Sequence, residues 1–136
     1  MLFSRPAHTA ALLSAALMAS CSAQHIPPIS GSWVSENSHT ARSLKIVNDD
    51  GKMYVSYCFV SNSGNRINCA VDESIDRFRI FRADSPGCYE AEVNSYYEPK
   101  LKTDISMCVE GNDLTWTTLR EKDIPYLPQR LTFERE

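Results

Sequence analysis

The sequence lacks the motifs on which most enzyme and metal sites are built. It has no Cys-x-x-Cys pair, no His-x-His or His-Glu-x-x-His spacing and no glycine-rich phosphate loop. Beyond the N-terminal segment only two histidines remain, His25 and His39, and neither stands near a nucleophile and base pair. We therefore expect no catalysis, no cofactor and no metal site.

Excess positive charge and long apolar runs are also missing. The 14 Lys and Arg residues are outnumbered by 17 Asp and Glu, and a net charge of −3 does not favour nucleic-acid binding. The apolar run at 10–19 is shorter than the roughly 18 residues of a spanning helix. No segment of ten or more residues has a convincing 3.6-residue period. The length of 136 residues allows one domain without obvious helices.

The N-terminus has the pattern of an export signal. Arg5 precedes an apolar stretch at 10–19, as in the two leading regions of a secretory signal peptide. The segment Met18-Ala19-Ser20-Cys21 resembles the bacterial lipobox, in which an apolar residue and two small residues precede a cysteine. This resemblance implies cleavage before Cys21 and acylation of both its sulfur and its new amino group. Ordinary signal cleavage after Ala23 is the alternative.

The lipobox resemblance also implies a location. A cysteine with two or more acyl chains stays in a membrane without a spanning helix. In enterobacterial-type lipoproteins, Ser22 after the cysteine implies sorting to the outer membrane. We expect a signal peptide at 1–20, a lipidated tether at 21–30 and a domain at 31–136 that faces the periplasm.

The five cysteines divide into one candidate for lipid attachment and four candidates for disulfide bonds. Without Cys21 there remain Cys58, Cys69, Cys88 and Cys108. An even number in an oxidising compartment predicts two disulfides. Symmetry about a turn at Ser63-Gly64 pairs the first two, and symmetry about Glu98 pairs the last two. We therefore predict the disulfides Cys58–Cys69 and Cys88–Cys108, each cross-linking a hairpin; a metal site, which would need reduced thiols, is the weaker alternative.

From residue 31 onward the sequence has the pattern of short β-strands. Turn signals rich in Gly, Pro, Asn and Asp separate runs of alternating polarity. The predicted strands are 31–36, 42–48, 52–60, 65–71, 77–82, 88–97, 101–109, 114–120 and 130–134. Such spacing indicates an antiparallel meander, which removes its exposed edges by closing into a barrel or folding into a sandwich. We expect an all-β, disulfide-stapled domain of eight or nine strands.

The first predicted strand opens with Gly31-Ser32-Trp33. This tripeptide resembles the Gly-x-Trp motif of lipocalin-like (calycin) barrels. The resemblance implies that Trp33 closes one barrel end beneath a basic residue of a late strand, for which Arg120 and Arg130 are the candidates. An ordinary core position is equally consistent with Trp33, and both interpretations place its ring inside.

Two segments are candidates for partner binding. Tyr96 and Tyr97 are adjacent beside a predicted turn, and strand alternation cannot bury both rings, so at least one faces solvent. Tyr126 and Leu127 lie in the proline-containing segment 122–129, which either covers a barrel mouth or docks a partner.

Together these features favour a non-catalytic, lipid-anchored protein that binds a protein partner. An inhibitor or an immunity protein directed against an envelope-targeting enzyme fits this class. Two alternatives stay open: a lipocalin-like binder of a small apolar ligand, and a structural envelope lipoprotein in a larger assembly. The sequence does not identify the partner.

Overall fold

The computed structural model describes residues 28–37, 40–61, 66–119 and 127–136, which form nine strands. They are β1 (Gly31–Glu36), β2 (Thr40–Asp49), β3 (Lys52–Ser61), β4 (Arg66–Cys69), β5 (Phe78–Arg82), β6 (Cys88–Asn94), β7 (Lys102–Glu110), β8 (Asp113–Thr118) and β9 (Arg130–Arg135). Within these ranges no helix has the length and apolar character needed to cross a membrane. The predicted signal peptide and most of the tether lie outside the described residues, as do Cys21, the Ser63-Gly64 turn, Arg120 and Tyr126.

Eight of the strands close into an antiparallel barrel. β1 pairs with both β2 and β9, and the circuit continues through β3, β5, β6, β7 and β8. β4 is an additional strand that shares one edge of β3 with β5: β5 pairs with residues 53–55 and β4 with residues 58–61. The all-β prediction is confirmed, and the closure is a barrel rather than a sandwich.

The strand directions define two ends. β1, β3, β6 and β8 finish at the end that we call upper, where β2, β4, β7 and β9 begin. The described N-terminal residues 28–30 enter at the lower end, immediately before β1. Any group attached further toward the N-terminus is therefore connected to the barrel through its lower end.

The barrel interior is filled by side chains that alternate along the strands. In β7 the inward positions are Thr103, Ile105, Met107 and Val109, while Leu101, the first residue of the predicted strand 101–109, is exposed. That part of the prediction was wrong because β7 begins at Lys102, so Leu101 lies outside the ladder. The largest fully buried side chains are Trp33, Trp116, Tyr57, Phe133, Ile29 and Leu44.

Both predicted disulfides are present. Cys58 faces Cys69 across β3 and β4 with their Cα atoms 3.9 Å apart, and Cys88 faces Cys108 across β6 and β7 at 4.1 Å. They join residues separated by 11 and 20 positions. In the chain-entropy model, loops of this size contribute on the order of 3 kcal/mol each.

An arginine covers Trp33 at the lower end, but it is neither of the two predicted. The guanidinium carbon of Arg135 lies 4.2 Å from the Trp33 ring centre. Arg130 is exposed at the upper end of β9, because β9 runs antiparallel to β1 and only its last residues reach Trp33. The indole N–H of Trp33 donates to the carbonyl of Ile29 at 2.8 Å, and Ile29 is itself buried.

Arg135 also fixes the entering chain. Its guanidinium donates to the carbonyls of Ser30 and Pro28 at 3.0 and 2.6 Å. Gly31 has a φ of 130°, and a Cβ atom at this position would approach the Arg135 guanidinium to 3.1 Å. The glycine of the Gly-x-Trp sequence is therefore required by both its backbone conformation and this close contact.

Candidate partner-binding site

The free edge of β4 is closed by a side chain. Among the described residues no strand pairs with the edge of β4 that faces away from β3. At this edge the hydroxyl of Tyr97 accepts a hydrogen bond from the N–H of Ile67 at 3.2 Å and donates one to the carbonyl of Ile67. A phenol has one donor and can also accept, so it satisfies both backbone groups that a neighbouring strand would have paired. Tyr97 thereby occupies an edge that could otherwise pair with another chain.

Buried polar contacts hold the segment after β6 against β4. The Asn68 side chain accepts from the N–H of Tyr96 at 3.0 Å and donates to the hydroxyl of Ser95 at 3.3 Å. The same Ser95 hydroxyl accepts from the N–H of Tyr97 at 3.2 Å. Asn68 and Ser95 are both buried, which raises the free-energy cost of breaking these hydrogen bonds. The backbone on which the two tyrosines sit is therefore fixed before any partner binds.

Tyr96 belongs to the wall of the barrel. Its ring lies 4.7 Å from the ring of Tyr57, and its hydroxyl donates to the carbonyl of Asp76 at 2.8 Å. The Tyr57 hydroxyl donates to the carbonyl of Asn94 at 2.7 Å. Burial raises the pKa of both phenols well above the usual value, so both remain neutral donors.

The structure separates the adjacent tyrosines that the sequence treated as a pair. Tyr96 is partly buried against the core, whereas the Tyr97 ring is 49% exposed. The expectation that at least one ring faces solvent is met by Tyr97. The two tyrosines differ because β5 is short and pairs only with the lower part of β3, whose upper part pairs with β4. Tyr96 fills the space beside β4.

A cleft opens at the upper mouth beside β2, β3 and β4. Its volume is about 400 Å³, and its described lining residues are Arg42, Phe59, Val60, Ser61, Arg66, Asn68, Leu127 and Pro128. The predicted residue Leu127 thus borders the cleft while packing partly buried against the core. The Thr118 hydroxyl donates to the carbonyl of Pro128 at 2.8 Å and so holds this segment to β8.

The described lining of the cleft combines apolar side chains with two arginines. Phe59 forms the floor, and its ring lies 5.5 Å from that of Trp116 and 6.3 Å from that of Phe133. Arg42 and Arg66 are also among its described lining residues, and the Arg42 guanidinium donates to the Thr40 hydroxyl at 3.3 Å.

Exposed apolar side chains are concentrated at the same end. Ile67, Tyr97, Leu101 and Leu119 are 60%, 49%, 48% and 50% exposed. The other large exposed apolar residues that the structure describes are Val71 and Ile75, between β4 and β5, and Phe81 on β5. Of this upper group only Tyr97 was predicted from the sequence, because its members come from three separate parts of the chain: β4, the connection between β6 and β7, and the end of β8.

Comparison with protein-family models, with curated proteins and with solved structures finds no match to this chain. Among the described residues, no three or more His, Cys, Asp or Glu side chains are grouped so that they could hold a metal ion. The site must therefore be interpreted from its own chemistry.

Proposed function

We propose that this chain is a non-catalytic lipoprotein of the bacterial envelope that is anchored through Cys21 and binds a protein partner with its upper end. The observation that carries the proposal is the group of exposed apolar side chains at the end of the barrel opposite the entering chain. Exposed apolar side chains that are grouped at one end of a small domain are a feature of binding surfaces.

The position of the tether supports this orientation. Seven peptide units separate Cys21 from Pro28, which can span at most about 25 Å. A lipid on Cys21 would thus keep the lower end near the membrane, and the upper end would point toward the periplasm. The lipobox resemblance, with Ser22 after the cysteine, implies sorting to the outer membrane. We include this location in the same proposal.

The packing of the barrel favours a protein partner over a small apolar ligand. Trp33, Trp116, Tyr57 and Phe133 are all fully buried within the barrel, so its interior is occupied by its own side chains. The upper surface instead presents Tyr97, whose hydroxyl is already fixed to Ile67. A rigid aromatic ring loses little conformational entropy on binding, which suits a protein interface.

Inhibition or immunity against an envelope-targeting enzyme is the specific form that we propose. A small barrel with two disulfides and a fixed upper surface is a rigid body that can cover an enzyme's active-site entrance. Membership in a larger envelope assembly would use the same surface. The difference between the two lies in the partner, which is a soluble enzyme in the first case and a membrane complex in the second.

The anchor is tested by growing cells with labelled palmitate. We expect label on the wild-type chain and none on Cys21→Ser, which removes the acylated sulfur. An unlabelled wild type, or label retained by Cys21→Ser, would contradict the lipoprotein assignment while leaving the binding surface to be tested separately.

The binding surface is tested by purifying the tagged full-length chain from detergent-solubilised envelopes. Leu101→Asp combined with Leu119→Asp places charges on the upper surface, and Phe81→Asp is the matched control on an exposed residue of β5. We expect one protein in stoichiometric amount with the wild type and with Phe81→Asp, and its loss from the double variant. Retention by the double variant, or extraction of a small apolar ligand without any protein, would contradict the proposal.

A further inference from the structure

We propose that the outer surface of β5 near the lower end rests on the lipid bilayer, with Phe81 at the level of the headgroups and with Arg79 and Arg82 bound to lipid phosphates. This inference goes beyond partner binding, because it concerns the end of the barrel opposite the exposed apolar group. It takes the nearby membrane from the proposed anchor at Cys21 and adds a second, non-covalent contact with it.

Phe81 is an exposed aromatic side chain on the outside of the barrel. The neighbouring Ile80 points inward and is buried, whereas the Phe81 side chain is 59% exposed. β5 runs antiparallel to β3 and β6 and ends one residue after Phe81, so this ring lies close to the lower end. Exposed Phe, Trp and Leu side chains accompanied by basic residues are typical of surfaces that lie in a membrane interface.

The Arg79 guanidinium is positioned between two aromatic rings. Its carbon lies 5.2 Å from the Phe81 ring centre and 5.8 Å from that of Tyr54, within the range of cation–π contacts. Among the described residues its Nε has no hydrogen-bond partner, and the group forms no ion pair. Arg77 also stacks on Tyr54, at 4.0 Å, but is bonded to Asp49 at 2.9 Å. Arg79 thus places a positive charge beside the exposed ring.

Arg82 connects this surface to the place where the chain enters the barrel. It is exposed, and it lines one cavity at the lower end together with Pro28, Ile29 and Ser30. Since the chain from Cys21 to Pro28 spans at most about 25 Å, a lipid on Cys21 keeps this side of the lower end within reach of the membrane. Guanidinium groups bind phosphate oxygens through a planar fork of N–H donors.

The charges at this surface favour a bilayer over a soluble polyanion. Glu90 lies opposite Phe81 in the register of β5 and β6, and Asp84 follows Arg82 by two positions. A polyanion, which is attracted by charge alone, would meet these carboxylates as well as the arginines. A bilayer offers an apolar region for the Phe81 ring and phosphates for the two guanidinium groups, and so matches both properties of the surface.

Quenching of tryptophan fluorescence by brominated lipid tests the contact. Phe81→Trp places a reporter at the proposed contact, and Leu101→Trp places the matched reporter on an exposed residue of the upper end. Each full-length chain is reconstituted into vesicles of phosphatidylglycerol and brominated phosphatidylcholine, whose bromine atoms quench nearby indoles. The wild type gives the background from the buried Trp33 and Trp116.

Charge variants in the Phe81→Trp chain test the two arginines. Arg79→Gln combined with Arg82→Gln removes both charges, and Arg79→Lys combined with Arg82→Lys keeps the charges without the planar fork. Lys100→Gln combined with Arg130→Gln removes the same charge at the upper end and is the matched control. Circular dichroism on each variant ensures that folded proteins are compared.

We expect quenching above the background at position 81 and only background quenching at position 101. The Arg-to-Gln pair should reduce the quenching at position 81 by at least about twofold, the Arg-to-Lys pair by less, and the control pair should leave it unchanged. No quenching at position 81, equal quenching at positions 81 and 101, or the same signal with and without the two arginines would overturn the inference.

Palmitate labelling and partner purification distinguish this inference from the proposed function. If Cys21 carries label but position 81 is not quenched, the anchor stands and the bilayer contact is wrong. If position 81 is quenched as expected but the wild type purifies without a protein, partner binding is wrong and the bilayer contact stands. Phe81→Asp, the control in that purification, alters only the lower surface and is expected to keep the partner in detergent.

Discussion

The phenolic oxygen of Tyr97 bonds to both backbone groups of Ile67, accepting from the N–H and donating to the carbonyl. One side chain thus takes the place of a neighbouring strand at the free edge of β4. The same contact fixes the most exposed aromatic ring of the proposed binding surface. The Tyr97 hydroxyl therefore contributes both to edge protection and to the preorganisation of the surface.

Tyr97→Phe should separate these two roles. It removes both bonds to Ile67 but keeps the ring, so we expect a loss of about 1 kcal/mol in the free energy of unfolding. Hydrogen exchange at the Ile67 amide should become faster. Leu101→Ala is the control, because it alters an exposed side chain that has no hydroxyl group. It should leave the exchange rate of the Ile67 amide unchanged. Unchanged exchange at Ile67 would contradict the role of Tyr97 in closing this edge.

Stability should fall at alkaline pH because of the buried Tyr57 phenol and the partly buried Tyr96 phenol. Burial raises the pKa of Tyr57 and Tyr96 above the ordinary value of 10.0. Above this pH the unfolded chain loses protons that the folded chain keeps, so the free energy of unfolding decreases as the pH rises. Urea unfolding at about pH 8 to 11 measures this slope.

Tyr96→Phe is the variant that assigns the slope. It removes one of the two phenols, so we expect a shallower decline than in the wild type, together with lower stability at neutral pH from the lost bond to Asp76. Parallel curves for variant and wild type would mean that Tyr96 does not contribute to the pH dependence.

The lower end offers a test within one strand. Arg135→Gln removes the contact over Trp33 and weakens the bonds to Ser30 and Pro28, so we expect a loss of about 1–2 kcal/mol. Arg130→Gln at the other end of β9 changes the same charge and should cost less than about 0.5 kcal/mol. Chemical unfolding followed by tryptophan fluorescence compares them, and equal losses would contradict the assignment of Arg135 as the covering residue.

Two interior threonines should respond to valine with opposite signs. The Thr103 hydroxyl is buried and has no hydrogen-bond partner in the part of the chain that the structure describes, so Thr103→Val should stabilise by about 1 kcal/mol. The Thr118 hydroxyl donates to the carbonyl of Pro128, so Thr118→Val should destabilise by a similar amount. Thermal unfolding measures both, and destabilisation by Thr103→Val would contradict the account.

The fold was largely predictable because the sequence carries strong local signals for it. Alternation and turn residues located all nine strands, and symmetry about the turns identified both disulfides. The short β4 and β5 were predicted too long, since their ends depend on how both share the edge of β3.

The site was less predictable because its residues meet only after barrel closure. Ile67 and Leu119 are 52 positions apart in the sequence, and neither stands in a motif. The covering arginine was misassigned for the same reason, because the register between β1 and β9 selects Arg135. Adjacency suggested that Tyr96 and Tyr97 act together, whereas the gap beside β4 gives them different environments.

Site-specific photocrosslinking in the producing cells shows directly whether the upper end of the barrel contacts a protein partner. A photoreactive phenylalanine would replace Leu101 at the upper end or Phe81 on β5, two exposed positions on different surfaces. We expect one discrete protein adduct from position 101 and none from position 81. Adducts of equal yield from both positions, or none from position 101, would contradict a partner-binding upper end.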